Sequence, residues 1–306
     1  LFRSAIGLLI PAVIIFMKEN MNTKVRGRKD LENLSIPFIG EIPQYLSAKK
    51  KLGFDKHTQS VMKAIVVKEG NRNIINEAFR VLRSNIDFMA GKDSGQNVFM
   101  LTSFNPGSGK SFLAMNIAMS FAIKKKRILV IDGDLRHGST SSYVDSPKTG
   151  LSDYLGNRVS DWKEIIVKDE KYDNLHIIPI GTVPPNPTEL LEDGKLATLI
   201  EVLRSEYDYI FIDCPPIDIV ADAQIIEKLA DRTVFVVRSG LLDRSMLPEL
   251  ENIYQEKRFK NLSVILNGTE SAGGRYGYRY GYRNGYSSYY GNKGKMGGVN
   301  GWSSSD

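Results

Sequence analysis

The chain is poor in the residues that build disulfide and zinc frameworks. Its 306 residues include one cysteine, Cys214, so no disulfide can form within it; that fits a reducing cytosol. Three histidines, His57, His137 and His176, are scattered without metal-ligand spacing, which argues against structural zinc. A strong charge of one sign is missing too. The net charge of +6 is mild and much of it lies near the two ends, so nucleic acid is not indicated as a partner. No uncharged run reaches the roughly 20 residues that a spanning helix needs. Ser4 to Met17 falls short and is followed by Lys18, Lys24, Arg26, Arg28 and Lys29. What remains, at 42% apolar residues, is enough for one α/β core with additions.

That core is announced by residues 97 to 113, N-V-F-M-L-T-S-F-N-P-G-S-G-K-S-F-L. An apolar run leads into a Pro/Gly/Ser turn, and an apolar helical pattern follows from Phe112: strand, phosphate-binding loop, helix. Gly107 and Gly109, flanked by Pro106 and Ser108, let backbone N–H groups turn inward around a phosphate. Lys110 can reach the outer phosphates, and the Ser111 hydroxyl, at the helix start, can hold Mg²⁺. The consensus loop opens with glycine six residues before the lysine, where this chain has Phe104. Two downstream strands end in acid. I-L-V-I-D-G-D-L-R places Asp132 at a strand end with Asp134 and Arg136 beyond it, and Y-I-F-I-D-C-P-P ends at Asp213. Carboxylates at the C-terminal ends of parallel strands face the same crevice as the loop. One such aspartate is often a turn former; three beside a G-K-S loop read as metal and proton handling.

The rest of the chain divides by composition. Residues 1–18 are expected to be a truncated transmembrane helix whose basic flank marks the cytoplasmic side. A buried helix of a soluble protein is the competing reading, and a signal peptide is disfavoured because no small-residue cleavage site follows. Residues 19–72 read as a juxtamembrane connector, extended at I-P-F-I-G-E-I-P (36–43) because of its two prolines. Residues 73–270 read as the nucleotide-binding domain. It opens with a helix over 73–90 whose buried stripe is Ile75, Phe79, Leu82, Ile86 and Met89. Glu77, Arg80 and Arg83 lie on another face, either as a solvated charged face or as a subunit contact.

Strand-like runs at 98–102, 127–132, 175–180, 209–213, 233–237 and 262–266 then alternate with helical patterns near 110–123, 151–155, 188–206, 223–229 and 243–257. This predicts an α/β fold, a doubly wound, mostly parallel sheet with helices on both faces. From 271 to 306 aliphatic residues almost vanish, so the segment is expected to be disordered. It holds Tyr276, Tyr278, Tyr280, Tyr282, Tyr286, Tyr289 and Tyr290, seven of the chain's 14 tyrosines. About 15 flexible residues reach about 20 Å, enough to enter an active site.

Taken in order, these motifs resemble one family, the bacterial tyrosine autokinases of capsule and exopolysaccharide export, in particular the cytoplasmic kinase domain of polysaccharide co-polymerases. The resemblance rests on I-P-F-I-G-E-I-P, the E-x-x-R-x-x-R helix at Glu77, Arg80 and Arg83, P-G-S-G-K-S, D-G-D-L-R, G-T-V-P-P-N-P-T-E-L-L (181–191), D-C-P-P and the tyrosine cluster. The partition and cell-division positioning ATPases (MinD/ParA type) share the fold. They carry an additional lysine where this chain has Asn105, and they lack a tyrosine-rich tail.

The resemblance implies ATP and Mg²⁺, with Pro106 to Phe112 around the nucleotide and Lys110 on its phosphates. It implies a metal held by Ser111, Asp134 and Asp213. Asp132 would accept the proton of the attacking tyrosine, although Asp132 and Asp134 could exchange roles, and Asn267 would lie near the adenine. It further implies a ring homo-oligomer through Glu77, Arg80 and Arg83, with one subunit's tail entering the next subunit's site. A tyrosine phosphatase and the polysaccharide polymerisation and export proteins are the implied partners, at the cytoplasmic membrane. The alternative is a nucleotide-driven scaffold of the export machinery that transfers no phosphate. Some relatives carry a regulatory tyrosine three residues after the arginine of the first aspartate motif; here that position is Ser139, and the nearest tyrosine is Tyr143.

Overall fold

Strand-forming runs too apolar to face water on either side have to be covered twice, and the fold does this with helices on both faces of a sheet. The computed structural model describes residues 22–45, 64–91, 95–217 and 221–270. Their strands are β1 (Phe38–Pro43), β2 (Val98–Thr102), β3 (Ile128–Asp132), β4 (Val167–Lys168), β5 (Leu175–Ile178), β6 (Tyr209–Asp213), β7 (Arg232–Arg238) and β8 (Ser263–Thr269). The helices are α1 (Ile74–Ala90), α2 (Lys110–Ala122), α3 (Leu151–Leu155), α4 (Pro187–Glu192), α5 (Lys195–Glu206), α6 (Asp222–Glu227) and α7 (Leu247–Gln255). The sheet order is β1-β8-β7-β2-β6-β3-β5-β4. All pairings are parallel except that of β4 with β5.

The expected alternation holds, with three refinements. The pattern at 188–206 is two helices, because Gly194 takes a left-handed φ of 78° and breaks the run between α4 and α5. The last helical pattern begins as a 3₁₀ turn over Arg244–Met246 before α7. The two-residue antiparallel β4 closes one sheet edge, a short strand of the kind that discourages further pairing.

The I-P-F-I-G-E-I-P stretch is extended as expected, and it is also a full member of the sheet. It pairs with β8 from Phe38↔Val264 to Pro43↔Thr269 and buries Ile39 and Ile42. Residues 64–68 are held onto the domain by two buried asparagines. Asn116 Oδ1 accepts from Val66 N and Val67 N at 2.7 and 3.2 Å, while Asn76 takes Lys68 N at 2.8 Å and donates to Val66 O at 3.2 Å. The expected membrane span at 1–18 and the tyrosine-rich stretch from 271 lie outside the described residues. Among the described residues no helix is long and apolar enough to cross a membrane.

In α2 every residue except Ser111 is buried, as a helix lying between the sheet and α1 must be. Phe79 of α1 meets Phe112 of α2 edge-on at 6.0 Å. Asn73 caps α1 by accepting from Asn76 N at 2.9 Å. The predicted stripe of α1 is buried at Ile75, Phe79, Leu82 and Ile86, with Met89 partly covered.

Candidate active site

Strand β2 is the pivot of the site. Its neighbours on one side are β6 and then β3; on the other they are β7 and then β8. The loop that follows β2 therefore sits at the point where the sheet's connections diverge, at the carboxyl ends of the strands. Gly107 and Gly109 have φ of 74° and 89°, the left-handed region that glycine enters without steric cost. Gly109 is the N-cap of α2, and Lys110 and Ser111 open the helix. Phe104, which replaces the consensus glycine, turns inward. It is 2% exposed and packs edge-on against Phe235 of β7 at 4.9 Å. The loop is thus anchored from below by an aromatic pair worth about 1 kcal/mol beyond simple burial. Asn105 O accepts from the Ser103 and Ser108 hydroxyls at 2.8 and 2.7 Å.

On the β6/β3 side, Asp132 and Asp213 are paired residues of adjacent parallel strands. Asp213 Oδ2 accepts from Ser111 Oγ at 2.5 Å and from Thr140 Oγ1 at 2.8 Å. Asp132 Oδ2 accepts from Ser141 N at 2.6 Å and Ser141 Oγ at 2.7 Å. The second oxygen of each carboxylate, Oδ1, is buried and has no hydrogen-bond partner. Burial, aided by the charge of Asp213, pushes the Asp132 carboxyl up to about 8. Burial also raises Asp213, against the pull of Lys110.

The Lys110 ammonium is itself held below its ordinary value by burial, with Asp213 and Asp134 opposing that shift, and it donates to Ser103 Oγ at 3.2 Å. Two buried carboxylates with vacant oxygens, beside a helix-start hydroxyl and a lysine, form a pocket short of positive charge. A divalent cation carrying a polyphosphate fits that deficit. Among the described residues no three His, Cys, Asp or Glu side chains converge as a self-sufficient metal centre. A P-loop cation does not need one, since the hydroxyl, phosphates and water complete its shell.

The other expected site residues fall as follows. Asp134 lies at the mouth of the crevice; it accepts from Arg136 N and His137 N, both at 3.3 Å, and faces His137 Nδ1 at 3.2 Å. The Ser111 hydroxyl meets Asp213 instead. Asn267 is buried within β8, not past its end, and donates from Nδ2 to Ser108 O at 2.8 Å, so it grips the loop backbone directly. Arg80 pairs with Glu77 at 2.5 Å and reaches Asn71 O at 2.9 Å. Arg83 donates to Ser120 O of α2 at 2.8 Å. The seven tail tyrosines lie outside the described residues.

Sequence reasoning missed Thr140 and Ser141, which hold the two strand-end aspartates. The hydroxyl-rich run Ser139 to Ser142 directly after the first aspartate motif was the available signal. It also missed a clamp in which Arg136 Nε and Thr188 Oγ1 both donate to buried Asp222, at 3.0 and 2.7 Å. The clamp joins the first aspartate loop to the P-P-N-P-T-E-L-L helix.

Residues 96–239 match the family model described as AAA domain. Over 210 residues the chain is 34% identical to tyrosine-protein kinase YwqD of Bacillus subtilis, a stretch covering 68% of this chain and 87% of that protein. The chain belongs to the bacterial tyrosine-kinase family. Its fold agrees with the kinase domain of the Escherichia coli tyrosine kinase ETK at a TM-score of 0.70 and 27% identity, covering 81% of this chain and 96% of that domain. A Klebsiella pneumoniae protein of the cps region is 33% identical over 282 residues, and the chain spans 38% of that relative's length. The matched region contains the loop and the sheet strands β2 to β7 described above, the frame of a P-loop nucleotide-binding fold.

Proposed function

We propose that this chain is an ATP- and Mg²⁺-dependent protein-tyrosine autokinase that modifies Tyr276, Tyr278, Tyr280, Tyr282, Tyr286, Tyr289 and Tyr290 and thereby regulates capsule or exopolysaccharide polymerisation and export. The observation that carries it is the pairing of Asp132 and Asp213, each with one vacant oxygen, beside Ser111 and Lys110.

Phosphoryl transfer needs in-line positioning and charge neutralisation more than covalent participation by the protein. The phosphate loop from Pro106 to Phe112 orients the polyphosphate, and Lys110 offsets its charge. Ser111 and Asp213, with Asp134, would hold Mg²⁺, which would supply charge neutralisation at the terminal phosphates. The tyrosine oxygen forms its bond to the γ-phosphorus as the bond to the bridging oxygen breaks and ADP leaves. Asp132 Oδ1 accepts the phenolic proton. A free phenol titrates near 10, so a carboxylate lifted by burial is a better matched base than an ordinary one.

The same reading places the chain in a ring of copies. The outward face of α1 supports it: Ile74 and Phe88 are 52% and 88% exposed and flank Glu77 along that face. Membrane attachment through residues 1–18, a phosphatase and the export proteins complete the proposal. Each added phosphate brings close to −2 charge, so a modified tail would leave an anionic site and loosen the ring.

The test is the intact mass of the chain before and after ATP and Mg²⁺, beside Lys110→Met. A ladder of phosphate additions mapping to Tyr276–Tyr290 and missing from the variant is expected. Bound ATP without any addition would turn the reading to the nucleotide-driven scaffold, and equal labelling of the variant would remove this loop from the reaction.

A further inference from the structure

The chemistry described so far occupies one flank of β2. The opposite flank holds a charged group without an assignment. Arg238 closes β7 and pairs in register with Asn267 of β8. Its guanidinium is half-buried and, among the described residues, meets no carboxylate and no hydrogen-bond acceptor. Burial alone lowers it from its ordinary value, with no neighbouring anion offsetting the shift. A desolvated guanidinium is costly to keep unless something pairs with it, and five donors in a planar fork are recognition hardware.

Its position says what it recognises. A side chain added at Gly109, the last glycine of the phosphate loop, would come within 3.4 Å of Arg238 Nη1 and would collide with Asn267 Nδ2. One added at Gly268 would lie 3.7 to 3.8 Å from Arg238 Cζ, Cγ and Nε. The guanidinium therefore lies across the bare backbone of Gly268 and alongside the loop. The acidic pair Asp132 and Asp213, with Ser111, lies on the far side of β2. A nucleotide whose terminal phosphates face that pair has its sugar and base on the side of β7 and β8.

We propose that Arg238 is a nucleotide-binding residue for the nucleoside half of the ligand, its planar cation lying against the base and ribose while Asn267 fixes the loop beneath. A flat guanidinium suits this role because it stacks on aromatic faces and can donate to ribose oxygens; a lysine offers only a point charge. The proposal rests on the nucleotide-site reading above, and the experiment separates the two.

Calorimetric titration of the full chain would be run with ADP and with inorganic pyrophosphate, for wild type, Arg238→Ala and Arg238→Lys. The wild type should bind both. Arg238→Ala should lose about tenfold in ADP affinity, consistent with a partly desolvated cation–π contact, yet keep its pyrophosphate affinity within about twofold. Arg238→Lys should recover only part of the loss for ADP. Retained pyrophosphate binding doubles as evidence that the variants are folded. An equal loss for both ligands in Arg238→Lys, with the melting temperature unchanged, would assign Arg238 to the phosphates and overturn the proposal. Unchanged ADP affinity in Arg238→Ala would overturn it too. A wild type that binds neither ligand would instead sink the nucleotide-site reading itself.

Discussion

The two flanks of β2 are built from opposite materials. Toward β6 and β3 the crevice is acidic and sealed, with Asp132 and Asp213 buried and each oxygen either gripped by a hydroxyl or left vacant. Toward β7 and β8 it is aromatic below and cationic above: Phe104 on Phe235, then Asn267 and Arg238 against the loop. The contrast teaches that one glycine-rich loop serves two tasks. On the proposed function, the acidic side would set where charge is rearranged, and the other side how firmly the loop and its ligand are held. Damage on the first side should stop chemistry in a folded protein; damage on the second should weaken the scaffold or binding first.

The largest effect should come from Asp213→Asn. It removes the carboxylate that holds the Ser111 hydroxyl, and tail phosphorylation should fall on the order of 10³-fold while the melting temperature stays within a few degrees. A rate within tenfold of wild type would break the division between flanks. Next is Phe104→Ala, on the other side, which should cost about 3 kcal/mol in urea unfolding through a cavity under the loop. Undiminished stability would mean the loop does not need its aromatic footing.

Asn267→Ala should be milder, at about 1–2 kcal/mol from the lost grip on Ser108 O. It would appear as weaker ADP binding by several-fold, measured by titration; a larger effect on transfer rate than on binding would place Asn267 with the acidic side. Smallest is Ser141→Ala, about 1 kcal/mol. It leaves the backbone donor to Asp132 in place, so transfer should slow by several-fold without loss of nucleotide affinity. An effect as large as that of Asp213→Asn would show that the hydroxyl, not the carboxylate, organises the acidic side.

Much of the acidic flank was legible in the sequence because its signals are local. A strand-end aspartate and a G-K-S turn announce themselves within a few residues, and parallel topology then brings them together. The second flank was harder to read. Arg238 ends an ordinary apolar strand, and its meaning depends on the absence of a side chain at Gly268, one strand away. Phe104 looked like a departure from the loop pattern until Phe235 was seen beneath it. Asn116 and Asn76 lie within two helices and nothing local in the sequence marks them, yet they dock residues 64–68. The break at Gly194 was missed because the hydrophobic spacing of α4 and α5 continues across it. The pairing of β1 with β8 joins residues more than 200 positions apart, and composition carries no trace of that.

That last pairing has a consequence of a different kind. β8 runs parallel to its neighbours, so Thr269 emerges at the same end of the sheet as the phosphate loop, two strands from β2. The chain therefore leaves its last described strand at the end of the sheet that carries the phosphate loop. If the residues that follow are the substrate, as proposed, their place on the same chain would make their supply to the site independent of how dilute the protein is. Under the same proposal, copies held close together would add their own stretches to that supply. Surface density would then act as a control variable, and a kinase gathered on a membrane and the same kinase in free solution would follow different rate laws.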